Sequence, residues 1–174
     1  MTDVHYESQD GTGAKAYVDA LVDLYGEVYA APPYLEGPEH VASFRRHLTR
    51  ELSIPGFTLA RAMDGARLVG AAYGFTLPPG AWMEPSAEEP PAHIRDLPKL
   101  NIAEWMVTTQ CRGTGIGRRL LDMLLADRSE PWAVLASNPA ATARRIYERW
   151  GWKPVGRIEP RTMPSMDVLA LPLR

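Results

Sequence analysis

Between Gln110 and Leu125 the chain reads QCRGTGIGRRLLDMLL. Gly113, Gly115 and Gly117 alternate with other residues, Arg112, Arg118 and Arg119 flank them, and an amphipathic run follows. A helix that starts at such a turn offers unpaired N–H groups and the positive end of its dipole, so it attracts anions. Glycines let the backbone approach a diphosphate closely, and the arginines add charge. A plain strand-to-helix turn with solvated arginines satisfies the same spacing. A P-loop does not, because it requires Gly-Lys-Ser/Thr after the glycines and here Ile116 and Gly117 follow Gly115. A dinucleotide-binding turn fits poorly. It needs G-x-G-x-x-G and an acidic residue about 20 positions later, whereas the spacing here is G-x-G-x-G and the next strand ends in Ser137-Asn138.

Just upstream, LNIAEWMV (Leu100–Val107) reads as a strand. Alternation puts Glu104 on the same face as Leu100, Ile102 and Met106. A carboxylate among apolar neighbours either lines a cleft or is paired, and burial raises its pKa toward the range useful for a base near neutral pH. Cys111 adjoins the glycine turn, but no histidine is near it in sequence to activate a thiolate, and it reads as incidental. His40 and His47 sit seven residues apart on one expected helix with no further ligand pattern, which reads as a solvated face and not a metal site.

The elements that must position these residues follow from periodicity and turn signals. Val4–Tyr6 is a short strand, and a first helix runs from about Gly13 to Tyr29, with Tyr17, Leu21, Leu24, Tyr25 and Val28 on one face. Prolines in APPYLEGP end it. A second helix covers Glu39–Glu51, and FTLARAM and RLVGAAYGFTL form a hairpin around DGA. Residues 78–98, rich in proline and glutamate, read as a long loop, ordered or mobile, of the kind that is often functional. After the 100–107 strand come a helix from about Gly115 to Asp127, a strand at Trp132–Ser137 and a helix over NPAATARRIYERWGW closed by Gly151. KPVGRI and SMDVLALPL close the fold as strands joined by EPRTMP. The order β-αα-ββ-β-α-β-α-ββ predicts a mixed sheet with helices on its faces, in a single domain over residues 1–174.

Bulk properties narrow the class. The chain has 174 residues, is 45% hydrophobic and 23% charged, and carries a formal net charge of −2, ordinary for a globular domain. That charge gives no electrostatic case for nucleic acid. A single cysteine rules out an internal disulfide, no signal peptide is apparent, and the longest nearly apolar stretch is about half a membrane span. The expectation is a cytoplasmic protein that does not bind a membrane.

VTTQCRGTGIGRRLL resembles the acyl-CoA signature of the GNAT superfamily of N-acyltransferases, whose core Arg/Gln-x-x-Gly-x-Gly/Ala corresponds to Arg112, Gly115 and Gly117. NPAATARRIYERWGW is similar to that family's second signature, through Asn138, Tyr147, Gly151 and Trp152. The two stand in the family's order and distance. The resemblance is specific from about Leu100 to Trp152 and only topological before that. Thr109 stands where many members carry proline. The resemblance implies an α/β (α+β) fold, with a mixed, mostly antiparallel sheet of six or seven strands flanked by about four helices. It implies acetyl-CoA as acyl donor and no metal. Its diphosphate would lie on Arg112, Gly113, Thr114, Gly115, Ile116, Gly117 and Arg118, and its pantetheine arm on backbone groups of Met106, Val107 and Thr108. Asn138 either bonds that arm or caps a helix with Pro139 at the first position.

Acyl transfer to an amine needs a base for the ammonium, stabilisation of the developing oxyanion and a proton for the departing thiolate. The resemblance implies Glu104 as base, acting directly or through water; a salt bridge or an edge position is its ordinary alternative. It implies Tyr147 as acid, although Ala143, Ile146, Tyr147 and Trp150 also form a helical stripe that would make it a core tyrosine. Proton transfer from a phenol to a thiolate is uphill by about 2 kcal/mol at reference pKa values, so neighbouring hydrogen bonds matter. A backbone N–H near Met106 or Val107 is the expected oxyanion donor. The resemblance implies an acceptor cleft lined by YAAPPYLEGPEH, which supplies Tyr29, Tyr34 and Glu36, and by EPRTMP; the long loop adds Trp82, Glu84, Glu88, Glu89, His93 and Asp96. Aromatics with carboxylates suit a cationic small-molecule amine, although an acidic solvated loop has the same composition. A protein lysine or N-terminal amine as acceptor, a non-catalytic acyl-CoA-binding module, and a homodimer whose partner completes the cleft all remain compatible.

Overall fold

A computed structural model describes residues 3–161 and 163–173. Thr162, within the expected EPRTMP connection, lies outside them. The elements are β1 (Val4–Asp10), α1 (Gly11–Ala14), α2 (Val18–Tyr29), α3 (Pro38–Glu51), β2 (Thr58–Asp64), β3 (Arg67–Leu77), α4 (Ala92–Arg95), β4 (Lys99–Val107), α5 (Ile116–Leu125), β5 (Trp132–Ser137), α6 (Ala143–Arg149), β6 (Lys153–Ile158) and β7 (Met166–Pro172), with short 3-10 turns at Lys15–Tyr17 and Thr109–Cys111. The strands form a seven-stranded sheet in the order β1-β2-β3-β4-β5-β7-β6. The β1/β2, β2/β3, β5/β7 and β6/β7 pairs are antiparallel, and β4/β5 is parallel. This is the mixed sheet that the element order predicted, and it is mostly antiparallel as the resemblance implied. Pro154 sits in β6, an edge strand where a missing N–H is tolerated, and the β6/β7 register shifts between Pro154 and Gly156.

The chain divides into two compact units, Met1–Phe75 with Glu104–Ala126 and Thr76–Ala103 with Asp127–Arg174. In the first, α5 packs on β1 and β2, and α2 packs on α3. Ile116, Leu120, Leu121 and Leu124 make the buried stripe of α5, and Leu21, Leu24, Tyr25 and Val28 make that of α2. Each such side chain, fully buried, contributes about 1.5–3 kcal/mol. The expected helix from Gly13 begins instead at Gly11 and is interrupted by the 3-10 turn before α2. Asp10 caps the start by accepting from Gly13 N at 2.8 Å. Gly11 must be glycine for a packing reason, since a Cβ there would stand 1.8 Å from the Leu52 carbonyl oxygen.

In the second unit, Trp82, Ile94, Val134, Ile158, Val168 and Ala170 form a core cluster. The 78–98 segment is not a free loop. Lys99, fully buried, donates its ammonium to the carbonyls of Pro78 (3.3 Å), Ala81 (2.8 Å) and Arg95 (3.0 Å). Ser86 bridges Ile158, Ala87 N donates to Arg157 O at 2.9 Å and Glu159 N to Pro85 O at 3.0 Å, so the segment extends the β6 edge. Sequence periodicity missed this because proline-rich backbone pairs through its carbonyls and through isolated bridges. The helix expected over 138–152 is also shorter. The amides after Asn138 are consumed by tight i→i−3 bonds, Ala141 N to Asn138 O, Arg144 N to Ala141 O and Arg145 N to Thr142 O, and α6 begins only at Ala143.

Candidate active site

The first unit brings most of the expected site together. On β4 the predicted alternation holds: Leu100, Ile102 and Met106 are buried, and Glu104 lies on their face, partly buried. Tyr29, at the end of α2, donates its hydroxyl to Glu104 Oε2 at 2.7 Å. Tyr25 is one helical turn earlier on the same face and donates to Glu36. Glu36 reaches back because Leu35 adopts φ +52°, an uncommon conformation for a branched residue. Its amide and the next close the turn, Leu35 N to Ala31 O at 3.3 Å and Glu36 N to Tyr29 O at 3.0 Å. From α3, Glu51 accepts from the Tyr73 hydroxyl at 2.7 Å. The rings are in contact: Tyr25 and Tyr29 have centroids 4.5 Å apart, Tyr29 and Tyr34 meet edge-on at 4.8 Å, and Tyr25 stacks on Phe44 at 4.2 Å.

This setting determines the charge state of Glu104. Its pKa is raised to about 8, chiefly by burial, against the Tyr29 hydroxyl that lowers it, with the Glu36 and Glu51 charges adding to the rise. Burial raises the Tyr25, Tyr34 and Tyr73 phenols too, with the Glu104 charge adding to each; at Tyr34 the Arg112 charge opposes the rise. A carboxyl at about 8 beside neutral phenols is a group that accepts a proton near neutral pH.

The strand then enters the glycine turn. Trp105 Nε1 donates to Gly117 O at 3.0 Å, tying the strand to the first turn of α5. Gly113 and Gly115 have φ +76° and +89°, with open space where a Cβ would stand. Gly115 is the N-cap of α5 and no side chain caps that end. Thr114 Oγ1 donates to Cys111 O at 2.6 Å and Arg112 Nε to Val107 O at 3.3 Å. Arg112 is exposed. Arg118 pairs with Asp122 at 2.8 Å, and the Arg119 guanidinium lies 4.8 Å over the Tyr6 ring. The Thr108 amide donates to Val69 O at 3.0 Å, and its buried hydroxyl has no hydrogen-bond partner. Cys111 is buried. His40 is not simply solvated, since its Nδ1 accepts from Gly37 N at 3.3 Å and so serves the start of α3.

The second unit holds the other expected residues. Tyr147 is 9% exposed, with its ring 6.2 Å from that of Trp152. Asn138 is not a helix cap, a correction to one of its two readings. Its Oδ1 accepts from Ala140 N at 2.9 Å, and Thr142 occupies the N-cap position of α6. Trp82 packs in the core cluster described above and is 9% exposed. Among the described residues, no group of three or more His, Cys, Asp or Glu is arranged to hold a metal ion. Sequence reasoning missed Tyr25, Glu51 and Tyr73. The four-residue spacing of Tyr25 and Tyr29 was a visible signal; nothing local joins Glu51 to Tyr73.

The chain's mixed seven-stranded sheet, with a strand running into a glycine turn that opens a helix, is a fold that known proteins share. Residues 92–161, less than half of the chain, match the acetyltransferase (GNAT) domain family. A comparison with curated protein sequences gives no match. Among solved structures the chain is similar to an aminoglycoside 6'-acetyltransferase type Ii, with TM-score 0.66 at 17% identity over 98% of this chain and 97% of that one. It is similar to the paia N-acetyltransferase of Thermoplasma acidophilum in complex with coenzyme A, with TM-score 0.65 at 12% identity over 98% and 99%. It is equally similar to a chain of the NatC complex bound to Gag peptide and CoA, with TM-score 0.65 at 16% identity over the whole of both chains. At these identities the likeness is one of fold. No helix among the described residues is long and apolar enough to cross a membrane.

Proposed function

We propose that this chain is an acetyl-CoA-dependent N-acetyltransferase that passes the acyl group directly from CoA to a primary amine of a small molecule. The observation that carries this reading is Glu104, held near pKa 8 among tyrosines, three residues before the end of the strand that enters the glycine turn. The acyl donor supplies an activated carbonyl as its thioester. The turn fits its diphosphate: two positive-φ glycines leave open backbone, the α5 N-terminus lacks a side-chain cap, and Arg112 is exposed beside it. Gly113, Thr114, Gly115, Ile116, Gly117 and Arg118 would hold it with Arg112, and the backbone of Met106 and Val107 would meet the pantetheine arm. Two neighbours of similar fold differ in what they accompany, one an aminoglycoside 6'-acetyltransferase and the other a complex bound to Gag peptide and CoA. The Tyr29, Tyr34 and Glu36 surface supports the small cationic amine for this chain.

In the reaction, Glu104 takes a proton from the substrate ammonium, freeing the nitrogen lone pair for attack on the thioester carbon. A backbone N–H at Met106 or Val107 donates to the oxygen as charge grows there. As the C–S bond breaks, Tyr147 returns a proton to the sulfur, a role drawn from the second family signature. Asn138 would bond the pantetheine arm. Calorimetric titration with acetyl-CoA and, separately, NAD tests the donor; an amine panel that includes peptides then tests the acceptor. Acetyl-CoA binding with turnover of small amines is the expected result. Binding of NAD alone would sink the proposal, turnover of peptides alone would move it to a protein acceptor, and tight acetyl-CoA binding without any turnover would leave an acyl-CoA-binding module.

A further inference from the structure

Tyr29 was expected to touch substrate. Its hydroxyl donates to Glu104 Oε2 at 2.7 Å. The ring is held on two sides, by Tyr25 at 4.5 Å and by the edge of Tyr34 at 4.8 Å. The loop that carries Tyr34 is closed onto Tyr29 by its own backbone, through Glu36 N to Tyr29 O at 3.0 Å. A phenol so clamped has little rotational freedom left, so its hydroxyl sets the plane of the carboxylate it meets.

We propose that Tyr29 is the positioning residue of Glu104: it holds Oε2, so that Oε1 is the oxygen that receives the proton of the acceptor amine. This rests on the reading of Glu104 as base. In that step an N–H bond of the ammonium breaks and an O–H bond forms at Oε1. Tyr29 keeps its own proton throughout. The groups that face Glu104 come from every neighbouring element: Tyr25 and Tyr29 from α2, Tyr34 and Glu36 from the loop after it, Glu51 from α3 and Tyr73 from β3. The Tyr29 hydroxyl favours the ionised carboxylate, whereas the Glu36 and Glu51 charges disfavour it. Removing the hydroxyl and removing the Glu36 charge must therefore move the titration of Glu104 in opposite directions, which general loosening of the fold does not do.

The test is a carbon-13 NMR pH titration of the full chain labelled in its glutamate carboxyls, with the Glu104 signal assigned by its loss in Glu104→Gln. Tyr29→Phe retains the ring and its aromatic contacts. The Glu104 midpoint is expected to rise in Tyr29→Phe and to fall in Glu36→Gln. A midpoint that stays or falls in Tyr29→Phe overturns the proposal, and one that fails to fall in Glu36→Gln overturns the network on which it rests. No acyl donor or acceptor enters this measurement, so its failure leaves the acyltransferase reading standing. Conversely, failure to bind acetyl-CoA leaves the titration interpretable.

Discussion

At the scale of the residue, the proposed role of Glu104 as base makes a pH dependence the first test. With a pKa of about 8, its basic form is a minor one at pH 7 and grows as pH rises. The rate at limiting substrate should therefore climb through an acid limb near pH 8 and level off above it; a limb near the ordinary carboxylate range would remove Glu104 as base. Glu104→Gln should lower turnover about 10²–10⁴-fold with acetyl-CoA affinity nearly unchanged by calorimetry. The same shift affects stability. A carboxyl whose folded pKa is raised keeps its proton in the folded state while the unfolded chain loses it, so stability declines as pH rises from the ordinary glutamate value of 4.5 to about 8. Glu104→Gln should raise Tm at pH 8 by roughly 2–4 °C for each kcal/mol recovered, with little difference near pH 4. Its place beside apolar neighbours was legible from alternation along LNIAEWMV. Its hydroxyl partner was not, because Tyr29 lies 75 residues earlier.

At the scale of the element, the decisive piece is the junction between β4 and α5. Gly115, at φ +89°, ends the turn in a conformation that costs an L-residue about 1–2 kcal/mol. Gly115→Ala has space for its methyl group, so the expected loss is that backbone cost. A fall in denaturation free energy of about 1–2 kcal/mol, with acetyl-CoA affinity reduced on the order of tenfold, would tie the conformation to binding. An unchanged affinity would leave the glycine a structural role only. The helix to come was readable from the 3.6-residue stripe of Ile116, Leu120, Leu121 and Leu124. The shortened α6 was not, because the competing i→i−3 bonds after Asn138 follow from a turn that the helical stripe hides.

At the scale of the molecule, each compact unit is built from discontinuous stretches of chain. The first unit needs α5, whose Leu120 and Ile116 methyls lie close to Gly70 of β3, 3.0 and 3.1 Å from where a Cβ would be. A fragment ending at Phe75 lacks that helix and should show no cooperative thermal transition by circular dichroism; a cooperative one would contradict this packing. In the second unit, Lys99→Met removes the donor for the carbonyls of Pro78, Ala81 and Arg95. The expected loss is about 3 kcal/mol or more in urea denaturation, with faster amide exchange across the 78–98 segment; unchanged exchange there would show that the segment stands without the ammonium.

The sequence by itself determined the element types, the anion-suited turn and the strand position of Glu104. Those depend on spacing along the chain, on glycine's backbone freedom and on the two-residue period of a strand. Tertiary structure alone decided what surrounds Glu104. Tyr25, Tyr29, Glu36, Glu51 and Tyr73 arrive from two helices, a loop and a neighbouring strand, and no periodicity encodes which of them will meet. It also packed Trp82 into the core and, of the ordered and mobile readings of the 78–98 segment, selected the ordered one. Burial and pairing are properties of distance in space, and a carboxyl near pKa 8 exists only once folding has removed water from it and set other carboxylates beside it.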